Sequence, residues 1–263
     1  GSTGIGGDCF AIIKMNNKKA TSVNGSGINP KKANLQYFIE NNINSIGLLS
    51  PHSVTIPGAV DAWYQMHKKF GKLEFEKLFE TAIYYAREGF PVHEIEAFHW
   101  KKNEDKLRKN NVAKQIFLKN NQAPIFGKKF TNSQLANTLK LIAIYGSDGF
   151  YKGETAQKIA LDMSNNGGLI TTEDLSGYYS KLRDPIIFNY KNLKIASMPP
   201  PSSGGLLLGL MLNMLENFDL SDDPNDVKNI LIISEIMQIA FSLRAKHIGD
   251  EDFYPVPIEN FLS

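Results

Sequence analysis

The 263-residue sequence predicts an α+β protein. Three observations lead there. Short apolar runs come in pairs, 9–13 with 20–23 and 185–190 with 193–197. Each pair is joined by a turn signal, Asn16-Asn17 or Tyr190-Lys191-Asn192, as in antiparallel hairpins. The rest of the chain repeats its apolar residues at helical spacing. Helices on one side of an incomplete sheet are expected, not a parallel sheet covered on both faces.

The elements follow in order. Gly4 to Gly7 reads as a tight turn before the first strand, and Gly25, Gly27 and Pro30 break the chain after the second. Pro57-Gly58 opens a helix over 58–70, with Val60, Trp63, Tyr64, Met66, His67 and Phe70 as its stripe and Gly71 as its end. A helix over 74–88 shows Phe75, Leu78, Phe79, Ala82, Ile83 and Ala86 on one face. Arg87, Gly89 and Pro91 stop it. The Lys- and Asn-rich stretch 101–129 reads as a solvated helix followed by loops. Leu135, Leu139, Ile142 and Ala143 mark a helix ending near Gly146. Another covers 154–165 and stops at Asn166-Gly167-Gly168. Thr171-Thr172-Glu173-Asp174-Leu175 has the form of a capping box. After the second hairpin, Pro199-Pro200-Pro201 is extended, and Ser202-Ser203-Gly204-Gly205 leads into a Leu-rich helix ending near Asn217. The long helix 226–247 is expected to bury Ile233, Ile236, Met237, Ala240 and Leu243, and to pack with helices 58–70 and 74–88.

Charge excludes some functions. Lys and Arg number 29 against 27 Asp and Glu, a net +2, so no bulk charge draws the chain to nucleic acid or an anionic membrane. A single cysteine, Cys9, rules out an internal disulfide and a cysteine-rich zinc site. The Leu-rich run 206–212 is far shorter than the roughly 20 residues of a membrane span. The chain opens in mid-motif without Met, so a longer precursor is expected and the compartment stays open.

Four local patterns invite chemistry, and each has a plainer reading. Gly4-Ile5-Gly6-Gly7 resembles a phosphate loop, but a dinucleotide fingerprint needs glycine where Cys9 stands. His93-Glu94 opens like a zinc-protease helix, but the second histidine is replaced by Ala97, leaving surface or half-buried histidines. Pro201-Ser202-Ser203-Gly204-Gly205 resembles a nucleophile elbow, yet Pro201 stands where glycine is needed. Serines before a helix are commonly caps, and the free N–H groups there also suit a carboxylate. Cys9 lies in an apolar strand with no His or Lys beside it, so a buried small hydrophobe is expected. Spacing alone yields no catalytic constellation, metal site or cofactor.

The order of motifs says more. Ser2-Thr3-Gly4-Ile5-Gly6-Gly7, Pro57-Gly58-Ala59-Val60, Ala86-Arg87-Glu88-Gly89-Phe90-Pro91-Val92 and Phe150-Tyr151-Lys152-Gly153 resemble the γ-glutamyltransferase family. So do the stretch from Asn166 to Leu175, Met198-Pro199-Pro200-Pro201-Ser202-Ser203-Gly204-Gly205 and Ile248-Gly249-Asp250-Glu251-Asp252-Phe253. They keep the family's order and cover nearly the whole chain as one domain, the large-subunit portion.

The resemblance implies a partial αββα N-terminal-nucleophile hydrolase sandwich, made as a self-cleaving zymogen. A new N-terminal Thr of the small subunit attacks a γ-glutamyl or related small amide, and water or an amine takes the acyl group. That Thr is expected beyond Ser263, so no catalytic residue falls in this chain, and neither Thr171 nor Thr172 takes the role. The implied partners are the small catalytic subunit and the amide substrate. Metal and cofactor are not implied, and higher oligomers of large/small pairs stay open. Members carry an Arg after the first hairpin that grips the substrate carboxylate; here that place falls on Ser26 or Ile28. Ser26, Gly27 and Ile28, with Ser202 and Ser203, are the candidate substrate-binding residues. Gly7-Asp8-Cys9-Phe10 and Asn24-Gly25-Ser26-Gly27 are more similar to the amidohydrolase-like branch than to glutathione-processing members. Two rivals are a non-catalytic scaffold that retains the fold, and a nucleotide-binding enzyme using Gly4 to Gly7. The latter lacks a second parallel strand bearing an acidic ribose ligand.

Overall fold

The computed structural model describes residues 4–262, so Ser2 and Thr3 of the first motif lie outside the described residues. The chain begins with β1 (Cys9–Ile13) and β2 (Thr21–Gly25), then α1 (Leu35–Glu40), α2 (Ala59–Phe70) and α3 (Glu80–Glu88). Next come β3 (Phe90–Pro91), α4 (Glu94–Lys102), α5 (Glu104–Arg108), α6 (Asn111–Phe117) and β4 (Lys129–Phe130). α7 (Ser133–Tyr145), α8 (Asp148–Tyr151), α9 (Gly153–Asn165) and α10 (Thr172–Ser176) follow. The last elements are β5 (Lys181–Arg183), β6 (Ile186–Tyr190), β7 (Leu193–Ser197), α11 (Gly204–Leu215), α12 (Val227–His247) and α13 (Ile258–Leu262). Two compact units result, one made of Gly1–Ser26 with Tyr179–Ser263, the other of Gly27–Tyr178.

The first unit holds the longer strands. β2 is central, pairing antiparallel with β1 (Ala11 opposite Val23) and with β5 (Val23 opposite Leu182). Its centre, Ser22 and Val23, is fully buried, and the Ser22 hydroxyl donates to the Arg183 carbonyl at 2.8 Å. β1 is an edge strand covered on one face, which leaves Phe10 and Ile12 exposed and Cys9 only half-buried. The expectation of a buried cysteine is corrected by that edge position. β6 and β7 form a separate hairpin with Phe188 opposite Ile195. Ile186 and Phe188 pack with Leu206 of α11 and Phe261 of α13. Only glycine fits at 205, where a Cβ would stand 2.3 Å from the Met198 carbonyl oxygen.

α12 packs on α11 along a narrow stripe. Ile236 and Ala240 are buried, whereas Ile233 and Met237 are 41% and 44% exposed. The broader buried face expected of helix 226–247 is therefore corrected at Ile233 and Met237, which lie outside the row that α11 covers, while Leu243 is half-buried against the Ile186–Phe188 cluster. Of the three helices expected to pack together, α3 and α12 have their main partners within their own units. α3 packs mainly on α7, and α12 on α11.

The second unit is helical and its motifs interlock. α2 buries only its first turn, Ala59 to Ala62. The buried Tyr151 hydroxyl donates to the Pro57 carbonyl at 2.6 Å and accepts from the Asp61 N–H at 3.3 Å. Its ring stacks on Tyr178 with centroids 5.4 Å apart. Burial pushes the phenol well above the usual tyrosine range. Helix 74–88 is shorter than expected: 76–79 is 3-10, and α3 follows. Phe79 and Ala86 are buried while Leu78 and Ala82 are exposed. Gly89 ends α3 with φ +91°, and the Asn132 N–H donates to the Ala86 carbonyl at 2.7 Å. The stretch 101–129, expected to be one helix and loops, holds the end of α4 and two further short helices, α5 and α6. Asn103 separates α4 from α5, and the Asn110 side chain caps α6.

Candidate functional site

Asn24, buried near the end of β2, sets the first candidate segment. Its Oδ1 accepts from the Ser26 N–H at 2.9 Å and from the Ser26 hydroxyl at 2.7 Å. A short Asx turn follows, which ends the strand because the side chain replaces the ladder partner. In the helical unit, Gly27 passes so close to Thr55 that a Cβ would lie 2.1 Å from Oγ1. The Ile28 carbonyl accepts from the Ile56 N–H at 2.9 Å, while its side chain is 46% exposed. The position thus presents an aliphatic group to solvent, without charge.

Lys31 is held by its backbone. Its N–H donates to Asp174 Oδ1 at 3.1 Å. Asp174 is the N3 residue of a complete capping box with Thr171. The Thr171 hydroxyl donates to Asp174 Oδ2 at 2.8 Å, so it is committed to the cap. Burial raises the Asp174 pKa, but hydrogen bonds from Lys31 and Thr171 outweigh it and hold the carboxyl below its ordinary value. The capping box was legible in the sequence; its tie to Lys31 was not, because 143 residues separate the partners.

The second candidate pair begins α11. The sequence favoured a cap or packing role for the two serines, and Ser203 does stand at the N-cap position. Its side chain does not cap, a correction with a clear cause: φ −75° and ψ −19° already place it in helical geometry. Its hydroxyl instead accepts from Arg244 Nε at 3.0 Å. Ser202 is half-buried just before it. The two candidate groups therefore have different anchors, Asn24 for Ser26 and Arg244 for Ser203. Sequence reading missed Arg244, which lies 41 residues away on α12.

The Ile248–Phe253 motif is fastened to β5. Arg183 reaches Glu251 at 2.9 Å and Asp252 at 2.7 Å, and Lys181 also pairs with Asp252. The Lys181 ammonium is the main cause of the lowered Asp252 pKa, with Arg183 adding to it. His93 is exposed and caps α4 through its ring. Among the described residues no group of three or more His, Cys, Asp or Glu is placed to hold a metal ion. No helix among them is long and apolar enough to cross a membrane.

The comparisons bear on the whole chain. The family model for gamma-glutamyltranspeptidase matches residues 1–263. The chain belongs to the gamma-glutamyltranspeptidase family. It is 34% identical to a glutathione hydrolase proenzyme of Escherichia coli, over 96% of this chain and 44% of that protein. A glutathione hydrolase-like proenzyme of Bacillus subtilis, YwrD, is 32% identical over 99% of this chain and 50% of its own length. The chain thus spans about half the length of the curated relatives it matches. The crystal structure of Helicobacter pylori gamma-glutamyltranspeptidase covers all of this chain and 76% of its own, with TM-score 0.95 and 34% identity. A cephalosporin acylase from Bacillus halodurans covers 99% of this chain and 49% of its own, with TM-score 0.92 and 29% identity. The architecture is the α+β N-terminal-nucleophile hydrolase fold of these gamma-glutamyltranspeptidase relatives.

Proposed function

We propose that this chain is the large-subunit part of a self-processing amidohydrolase or acyltransferase. Its nucleophile is an N-terminal Thr of a partner segment from the same precursor. The family match along all 263 residues, at about half the length of proenzyme relatives, carries the reading. Two hydroxyls within the chain support a nucleophile elsewhere. Thr171 is committed to its capping box, where its hydroxyl both donates to Asp174 and accepts the Asp174 N–H, and the Ser203 hydroxyl accepts from Arg244, a cation and not a base.

The substrate is a small amide that lacks a free α-amino acid end, as in the amidohydrolase-like branch. Ile28 and Ser26 support this choice, because neither supplies the charged fork that grips a carboxylate. Loss of a hydrogen bond to a charged group costs about 1.5–3 kcal/mol, or roughly one to two decades in affinity. The experiment expresses the complete precursor, follows its cleavage into two chains, and compares glutathione with oxamate. Oxamate is expected to be turned over with the higher kcat/KM. Efficient glutathione turnover that survives Lys31→Ala with Lys32→Ala overturns the substrate assignment. A complete gene product that never cleaves and hydrolyses no amide supports a scaffold instead.

A further inference from the structure

Charge is spread unevenly along the chain. Residues 94–130 carry nine Lys and Arg against four Asp and Glu, a net +5, whereas the whole chain carries +2. The same stretch exposes large apolar groups. Ile95 and Phe98 on α4 are 59% and 64% exposed, and Ile125 and Phe126 in the following loop are 64% and 65% exposed.

These groups are fixed together. The Gly127 N–H donates to the Val92 carbonyl and the Val92 N–H to the Lys128 carbonyl, both at 2.9 Å. The Ile125–Phe126 loop is thereby tied to the entry of α4. Ile95, Phe98 and Lys102 follow i, i+3, i+7 spacing and share one face of that helix. Beneath it, Trp100 packs on Phe130 at 4.8 Å and on Phe117 at 6.1 Å. Lys102 and Lys128 form no ion pair among the described residues.

We propose that this face, Ile95, Phe98, Ile125 and Phe126 with Lys102 and Lys128, docks on an anionic lipid surface. Charge complementarity decides the occupant. Protein interfaces enrich aromatics but deplete lysine, and here unpaired lysines adjoin the apolar groups. Nucleic acid favours arginine and stacking rings, but two of the four apolar groups are isoleucines and the segment's sole Arg, Arg108, is locked by Glu104 and Asp105. Aliphatic and aromatic tips entering the headgroup layer, with lysines at the phosphates, match an interfacial anchor.

The test sediments the complete protein with vesicles of phosphatidylcholine alone and of phosphatidylcholine with phosphatidylglycerol at three to one. Binding is expected on the anionic vesicles only, weakening as salt rises. Each lysine contributes about fivefold at such a surface, so Lys102→Gln with Lys128→Gln weakens binding roughly 25-fold. Phe98→Ser with Phe126→Ser is expected to abolish sedimentation at the same lipid concentration. All four side chains are exposed, so the variants keep the fold. No binding to anionic vesicles, equal binding to both vesicle types, or binding undiminished in either double variant overturns the proposal. So does retention of the anionic vesicles by a protein or nucleic-acid contaminant rather than by this surface.

Discussion

Gly205 shows how one residue fixes an approach between elements. A Cβ there would stand 2.3 Å from the Met198 carbonyl oxygen and 2.8 Å from Ile186 Cδ1. Backbone cannot move aside as a flexible side-chain tip does, so Gly205→Ala is expected to cost about 1–3 kcal/mol. Urea unfolding of the chain checks this, and an unchanged midpoint refutes it. Glu104 makes a second residue-scale case. Its side chain is 8% exposed and accepts from the Ala123 N–H and Arg108, both at 2.8 Å, and from Lys101 at 3.1 Å. The Ala123 N–H is the main cause, followed by Lys101, of a carboxyl held at about 2 instead of 4.5. A lowered folded-state pKa stabilises above the unfolded value, and that contribution fades as pH falls from about 4.5 to about 2. The protection factor of the Ala123 amide, its exchange rate relative to an unfolded chain at the same pH, is therefore expected to fall as pH drops through this window in the wild-type chain. Glu104→Gln is expected to exchange faster throughout and to lose the pH-dependent step. Lys101 and Arg108 at i−3 and i+4 were a legible signal for Glu104; its bond across the loop was not.

At the scale of elements, α12 separates helix from packing. Its helical period is plain in the sequence, and the structure confirms Val227–His247. Which residues it buries depends on α11. Ile236 is 4% exposed and Ile233 is 41% exposed, although both are Ile on the same helix. Ile236→Ala is expected to cost about 2–4 kcal/mol, as for buried aliphatic truncations. Ile233→Ala should stay below about 1 kcal/mol in the isolated chain. Equal costs in thermal unfolding would sink the assignment of the narrow stripe. The stretch 94–117 gives the opposite lesson. Its three short helices have caps at Asn103 and Asn110, but weak apolar periodicity hid the breaks.

Across the whole molecule, the family motifs are anchored by contacts within each unit. Tyr151 of Phe150–Gly153 bonds to Pro57, and Asp174 of the capping box holds Lys31. In the other unit, Glu251 and Asp252 grip Arg183, and Gly205 meets Met198. At this scale the expectation is that purified 1–263 hydrolyses no γ-glutamyl-p-nitroanilide, whereas the complete, cleaved precursor hydrolyses an amide. Turnover by the chain alone would place the nucleophile within it.

By itself the sequence determined the α+β class, both hairpins, most helices and the family, because these depend on local spacing, turn residues and motif order. Tertiary structure alone decided that β1 is an edge that leaves Cys9 half-buried, that Ser203 answers to Arg244 instead of capping α11, and that Asp174 holds Lys31. Each of those depends on a partner tens of residues away. Local periodicity reports which face a segment offers to burial; only the folded chain determines what arrives to cover it.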